Sequence, residues 1–171
     1  IAKEFPDVTW DKELVDAATA RMVNRPESLD TIVATNLHAD VLSDLAAALA
    51  GSLGIAPTGN IDPERRYPSM FEPIHGSYPQ AKGKDIANPL ASILSAAMLL
   101  EHLGLHDEAD AIQRAVEKSL DLGITTQDLK GKNQYAASTA KVGDFIADYI
   151  ANQEDSAMNF KNIHMGQSTI I

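Results

Sequence analysis

Apolar residues recur at a helical period in five stretches of this chain. Residues 11–23 place Leu14, Val15, Ala18 and Met22 on one face, and Asn24-Arg25-Pro26 ends the pattern. Residues 31–35, Thr-Ile-Val-Ala-Thr, are short and β-branched, which predicts a buried strand delivering the chain to Asn36. From His38 to Ala50 a broad apolar face carries Val41, Leu42, Leu45, Ala48 and Leu49, with Gly51 as the stop. Because this helix is rich in Ala and Leu nearly all round, it is expected to be buried, against another subunit. Between residues 51 and 88 the period lapses while Gly and Pro recur, which predicts strands and ordered loops and the functional surface. Asn88-Pro89 is a cap followed by a first-turn proline, and the apolar run 90–103, closed by Gly104, predicts a core helix. Residues 107–122 predict an amphipathic surface helix stopped by Gly123, and 139–150 a last helix. From Ala151 onward periodicity is lost, so residues 152–171 are expected to form a loosely ordered tail.

With 171 residues and 44% hydrophobic content, the chain can form a globular domain burying roughly 70% of its unfolded surface. Fourteen basic against 24 acidic residues give a net charge of −10, and no Lys/Arg cluster falls on a predicted helix face. A nucleic-acid role therefore lacks an electrostatic footprint, and an anionic membrane would repel the chain. No apolar run approaches the roughly 18 residues of a spanning helix, and the N-terminus lacks the basic and apolar regions of a signal peptide. The absence of cysteine excludes disulfides and thiolate chemistry and makes the cytoplasm the expected compartment. Neither a G-x-G-x-x-G turn nor a P-loop occurs, so any dinucleotide must be bound another way.

Residues 36–44 read Asn-Leu-His-Ala-Asp-Val-Leu-Ser-Asp, setting Asp40 and Asp44 four apart on one helix face. Two carboxylates so placed can hold a divalent cation, although the same spacing also marks an ordinary solvated face. Further on come Phe-Glu-Pro-Ile-His-Gly-Ser at 71–77 and Gly-Lys-Asp-Ile-Ala-Asn-Pro at 83–89. His75 alone would often be a structural histidine, and the neighbouring glycine favours a binding role, because glycine lets backbone amides approach a ligand. Adjacent Arg65 and Arg66 read as solvated surface.

Taken in order, with Gly51-Ser52-Leu53-Gly54 between them, these motifs resemble the metal-dependent β-decarboxylating dehydrogenases, the family of isopropylmalate, isocitrate, tartrate and D-malate dehydrogenases. The resemblance runs from about Leu14 to Ile150 and covers only the C-terminal half of such an enzyme. It implies an α/β, isocitrate/isopropylmalate dehydrogenase-like fold present in part. Residues 1–51 would belong to the subunit-interface domain and 52–151 to the large domain, with 152–171 as a tail. Strands parted from their neighbours would leave sheet edges and apolar helix faces exposed. NAD and a Mg or Mn ion are the implied cofactors. Asp40 is then a direct metal ligand, Asp44 a nearby partner, and Asp16 a ligand from the neighbouring subunit of a homodimer. His75, Gly76, Ser77 and Gln80 match the adenosine-binding loop, Asn88 would read the adenine edge, and Glu72 matches an acid near the nicotinamide. The family's catalytic lysine and tyrosine and its substrate-binding arginines are expected upstream of Ile1, so no catalytic residue falls in this segment and the isolated chain is expected to be inactive.

Two departures from the family pattern bear on the cofactor and the metal helix. Tyr78-Pro79-Gln80 stands where NAD-using members show Ala-Pro-Asp, and Lys82 lies near where NADP-using relatives place a lysine, so discrimination between the two should relax. His38-Ala39 replaces the common Phe-Gly, a change a helix tolerates. Residues 60–71 resemble the longer loop of tartrate and D-malate dehydrogenases, which implies oxidative decarboxylation of a 2-hydroxy dicarboxylate of that kind. The alternatives are a 3-isopropylmalate dehydrogenase or a truncated, non-catalytic fragment that only assembles.

Overall fold

Among the residues that the computed structural model describes, 2–130 and 135–166 in backbone and 3–130 and 135–152 in side chains, each of the five helical periods forms a helix. The chain folds as two compact units, Ile1–Ala50 and Gly51–Ile171.

In the first unit, α1 (Val15–Asn24) packs against α2 (Asn36–Ala50), and Met22, Leu42 and Ala47 are buried. Arg21 holds the turn after α1 through Nε to the Ser28 hydroxyl (2.8 Å) and a second guanidinium nitrogen to the Ser28 carbonyl (2.7 Å). It also pairs with Glu13 at 3.2 Å, so one cation ties the segments before and after the helix. The β-branched run at 31–35 is not a strand. Ile32 is exposed and Val33 is 95% exposed. A strand needs a neighbour for its backbone hydrogen bonds, and among the described residues the two strands present pair with each other. Nor is α2 buried all round in the single chain, since Leu37, Val41 and Leu49 are exposed. Elsewhere in the same unit, Phe5, Val8, Trp10 and Val33 together with Asp11, Arg21 and Asp30 line an open concavity of about 720 Å³ of mixed polar and apolar character.

The second unit is built on a hairpin of β1 (Pro57–Asn60) and β2 (Met70–Pro73), antiparallel, with Gly59 opposite Phe71. A Cβ on Gly59 would lie 2.9 Å from the Phe71 ring, so this pairing requires glycine. Asp62 organises the connecting loop by accepting the N–H groups of Arg66 (2.7 Å), Tyr67 (2.8 Å) and Glu64 (3.2 Å). The Tyr67 N–H, acting against desolvation and joined by those of Glu64 and Arg66, holds the Asp62 carboxyl below its ordinary range. Arg65 adopts φ 52° and donates to the His102 carbonyl at 2.9 Å, so it is a loop anchor rather than simply solvated surface.

Helix α3 (Leu90–His102) packs on the hairpin and on α4 (His106–Asp121), which in turn packs on α5 (Thr139–Gly166). Leu90, Ala115, Val116, Ala137, Val142 and Ile146 form the core between them. Both α3 and α4 end in the same device. Gly104 N–H bonds Glu101 and Leu105 N–H bonds Leu100, and likewise Gly123 bonds Leu120 and Ile124 bonds Ser119. The glycine at each end takes a positive φ, 83° and 66°, where a Cβ would be strained. Helix α5 runs to Gly166 rather than ending near Ile150. Residues 151–165 contain neither Gly nor Pro, so the backbone continues helically although the hydrophobic period has gone; the last residues of the expected tail, 167–171, lie outside the described set. No described helix is long and apolar enough to cross a membrane.

Gly104 offers a clean test, because a Cβ there meets nothing within 4 Å. Gly104→Ala should cost about 1–2 kcal/mol through backbone strain alone. Urea denaturation followed by circular dichroism should show the lowered midpoint, and an unchanged midpoint would contradict the helix-end assignment.

Candidate functional site

Five loop segments of the second unit converge on an open cavity of about 980 Å³. The turn before β1 contributes Ser52 to Gly54, and the segment after β2 contributes His75 to Tyr78. The loop before α3 adds Lys84 to Asn88, while Gln127, Asp128 and residues 136–138 close the remaining side. Its volume falls in the range of cofactor pockets.

Asp128 joins three of these segments. Its carboxylate accepts from the hydroxyl of Ser52, from Thr126 Oγ1 at 2.5 Å and from Asn88 Nδ2 at 2.9 Å. Burial acts to raise the carboxyl pKa, but these side-chain donors and its own backbone N–H outweigh it and hold the group below its ordinary value of 3.8. Asn88 meanwhile accepts the Leu90 N–H through Oδ1 at 2.9 Å, so it caps α3 as its sequence position predicts. Gly54 lets the two loops meet, since a Cβ there would lie 2.7 Å from the Asn88 Cβ.

A second clamp fixes the opposite end of the same loop. Asp85, at φ 55°, accepts the Ala140 N–H on its carboxylate (2.9 Å) and the Thr139 N–H on its carbonyl (3.0 Å). Thr139 Oγ1 donates to the Ala87 carbonyl at 2.5 Å, binding the loop to the start of α5. The Ser138 side chain first, then the Ala140 N–H, lower the Asp85 pKa against desolvation. On the facing side, His75 Nδ1 lies 2.9 Å from the Gly76 carbonyl. That oxygen can only accept, so Nδ1 carries the hydrogen and, in the neutral ring, Nε2 is left as an acceptor.

Of the residues expected to bind a cofactor, the structure brings His75, Gly76, Ser77 and Asn88 to one cavity. Glu72 is exposed on β2, and Gln80 is exposed on the short turn Pro79–Ala81; neither lines the cavity. The carboxylates expected at a metal belong to the first unit. Asp16 stands in the first turn of α1 and accepts the Ala17 N–H at 2.9 Å, whereas Asp40 and Asp44 are exposed on α2. Among the described residues, no group of three His, Asp or Glu is placed to hold a metal. Sequence reading missed Asp128. Its local signal, the polar run Thr125-Thr126-Gln127-Asp128 just past a helix-ending glycine, names a turn and nothing more. Its partners lie 76 and 40 residues away.

The isocitrate/isopropylmalate dehydrogenase family model matches residues 1–146, and the chain belongs to that family. It is 62% identical over 151 residues to a probable tartrate dehydrogenase/decarboxylase of Agrobacterium vitis, covering 88% of this chain and 41% of the relative. It is 44% identical to the D-malate dehydrogenase [decarboxylating] of Escherichia coli strain K12, covering 88% of this chain and 42% of the relative. Among solved structures, isocitrate dehydrogenase from Methylococcus capsulatus superimposes with a TM-score of 0.82 at 42% identity, over 88% of this chain and 43% of that one. The chain thus spans about two fifths of the length of the curated relatives it matches.

Because Asp128 and Asp85 titrate lower when folded than unfolded, their stabilisation is complete above about pH 4 and is lost as the pH falls through the folded values. Asp128→Asn should unfold at lower urea than the wild type at neutral pH, with the gap narrowing as the pH falls below about 4 and the wild-type carboxylate is progressively protonated. A gap that stays constant down the acid range would contradict the network.

Proposed function

We propose that this chain is the metal- and adenosine-binding segment of an NAD-dependent dehydrogenase that oxidatively decarboxylates D-malate or a tartrate-like 2-hydroxy acid in the cytoplasm, with Mg or Mn as its ion. The observation that carries the reading is the convergence of His75, Gly76, Ser77 and Asn88 on one cavity in a chain of this family. The 62% identity to a probable tartrate dehydrogenase/decarboxylase favours that substrate class.

A bound nicotinamide would supply a hydride acceptor and a bound cation Lewis acidity toward the substrate's oxygens. The residues of this chain bind and orient. Gly76 has open space where a side chain would stand, so its backbone can approach a ligand closely, and Leu53, Ile86 and Ala87 give the adenosine apolar walls. Asp40 and Asp44 suit a hard cation, because their carboxylates are exposed and carry no protein partner among the described residues. Two such oxygens are too few for Mg or Mn. Asp16 of a second copy would supply another, which makes a homodimer the working assembly, and the exposed Leu37, Val41 and Leu49 of α2 suit such an interface. The proton relay is carried by no residue of this segment, and Gln80, neutral where an acid would repel the extra phosphate of NADP, leaves the preference for NAD modest.

Two substitutions test this. Gly76→Val puts bulk only into open space, so it should leave stability unchanged and weaken NAD binding by about tenfold or more in calorimetry; wild-type affinity in this variant would refute the adenosine assignment. Asp40→Asn should weaken Mn²⁺ binding by a similar factor in a paramagnetic-resonance titration of the assembled protein, and unchanged binding would remove Asp40 from the metal site.

A further inference from the structure

We propose that Asp128 is the positioning residue of this cavity. It holds one hydrogen of the Asn88 amide, and so fixes that side chain with its second N–H available to a hydrogen-bond acceptor on the ligand. The proposal rests on the reading that the cavity takes an adenosine, and it names the contact, a ring nitrogen of the purine.

An asparagine amide can flip, and its two faces offer opposite chemistry to a ligand. Here the flip is closed off from both ends. Oδ1 accepts the Leu90 N–H at 2.9 Å, and Nδ2 donates to Asp128 at 2.9 Å. Reversing the amide would set its NH₂ against an N–H and its oxygen against a carboxylate, losing both bonds and creating two repulsions. Asp128 can hold the amide because it is itself held, by the Ser52 hydroxyl and by Thr126 at 2.5 Å. All three donors to its carboxylate side chain are neutral, so its full charge stays directed at them. Gly54 leaves the room this side chain occupies, since a Cβ there would lie 2.7 Å from the Asn88 Cβ and 3.1 Å from Nδ2. Among the described residues the second Nδ2 hydrogen has no protein partner, and Asn88 lines the cavity. The amide therefore arrives as a preorganised donor. Adenine offers ring nitrogens that match it.

The test is a double-mutant cycle on the full chain with ADP-ribose as the probe. Asp128→Ala and Asn88→Ala should each weaken binding by about tenfold, and the double variant should bind no more weakly than Asn88→Ala alone. Asp128→Asn keeps an accepting oxygen and should recover most of the affinity. Losses that multiply in the double variant would overturn the proposal, because Asp128 would then act by another route. A readout without ligand separates this from the adenosine assignment. In ¹⁵N-labelled wild type the two Asn88 side-chain protons should be well separated in chemical shift, and in Asp128→Ala they should move together. An Asn88 signal unchanged in that variant overturns the positioning role whatever binds. A responsive signal in a wild type that binds no ADP-ribose supports the positioning and overturns the adenosine reading alone. Should Asp128→Ala fail to fold, Asp128→Glu, which keeps the charge and moves the carboxylate by one methylene, carries both measurements.

Discussion

The Asp128 carboxylate is where the second unit is pinned together. Ser52 reaches it from before the hairpin, Asn88 from the start of α3, and Thr126 from the turn after α4. A carboxylate with several side-chain donors is a stronger junction than the same number of separate neutral pairs, because each bond is assisted by the charge. Without those donors burial would act unopposed to raise its pKa, and three loops would lose their common anchor. The cavity walls depend on this one shared acceptor.

Its effect reaches the cavity wall because the loop between Gly83 and Pro89 is held at both ends. Asp128 and Leu90 fix Asn88, while Asp85 and Thr139 tie the other end to α5. The intervening Ile86 and Ala87 face the cavity on a loop with little freedom left. Such double fixation reduces the entropy that a ligand must otherwise remove on binding. The strained φ of Asp85 is consistent with that role, since a residue keeps a left-handed backbone only when its surroundings over-determine it.

The first unit shows the opposite situation. Its two helices bury only Met22, Leu42 and Ala47, and Val33 stands almost fully in solvent. Arg21 compensates locally, clamping the turn at Ser28 to Glu13 ahead of α1. Among the described residues the Asp40 and Asp44 carboxylates of α2 have no protein partner, a state that gives little stability by itself.

Much of this was written in local sequence. The five helical periods, the glycines at 51, 104 and 123, and the Asn88-Pro89 start are signals carried within a few residues, and each appears in the structure. The order of motifs was enough for the family, and His75, Gly76, Ser77 and Asn88, singled out in those motifs, line one cavity. Tertiary structure decided the rest. Whether residues 31–35 become a strand depends on a neighbour, which no local pattern supplies. The length of α5 followed backbone propensity where the hydrophobic period had ended. Asp128 was illegible because its meaning lies in donors distant along the chain: a polar turn residue becomes the anchor of a cavity only when folding brings Ser52 and Asn88 to it.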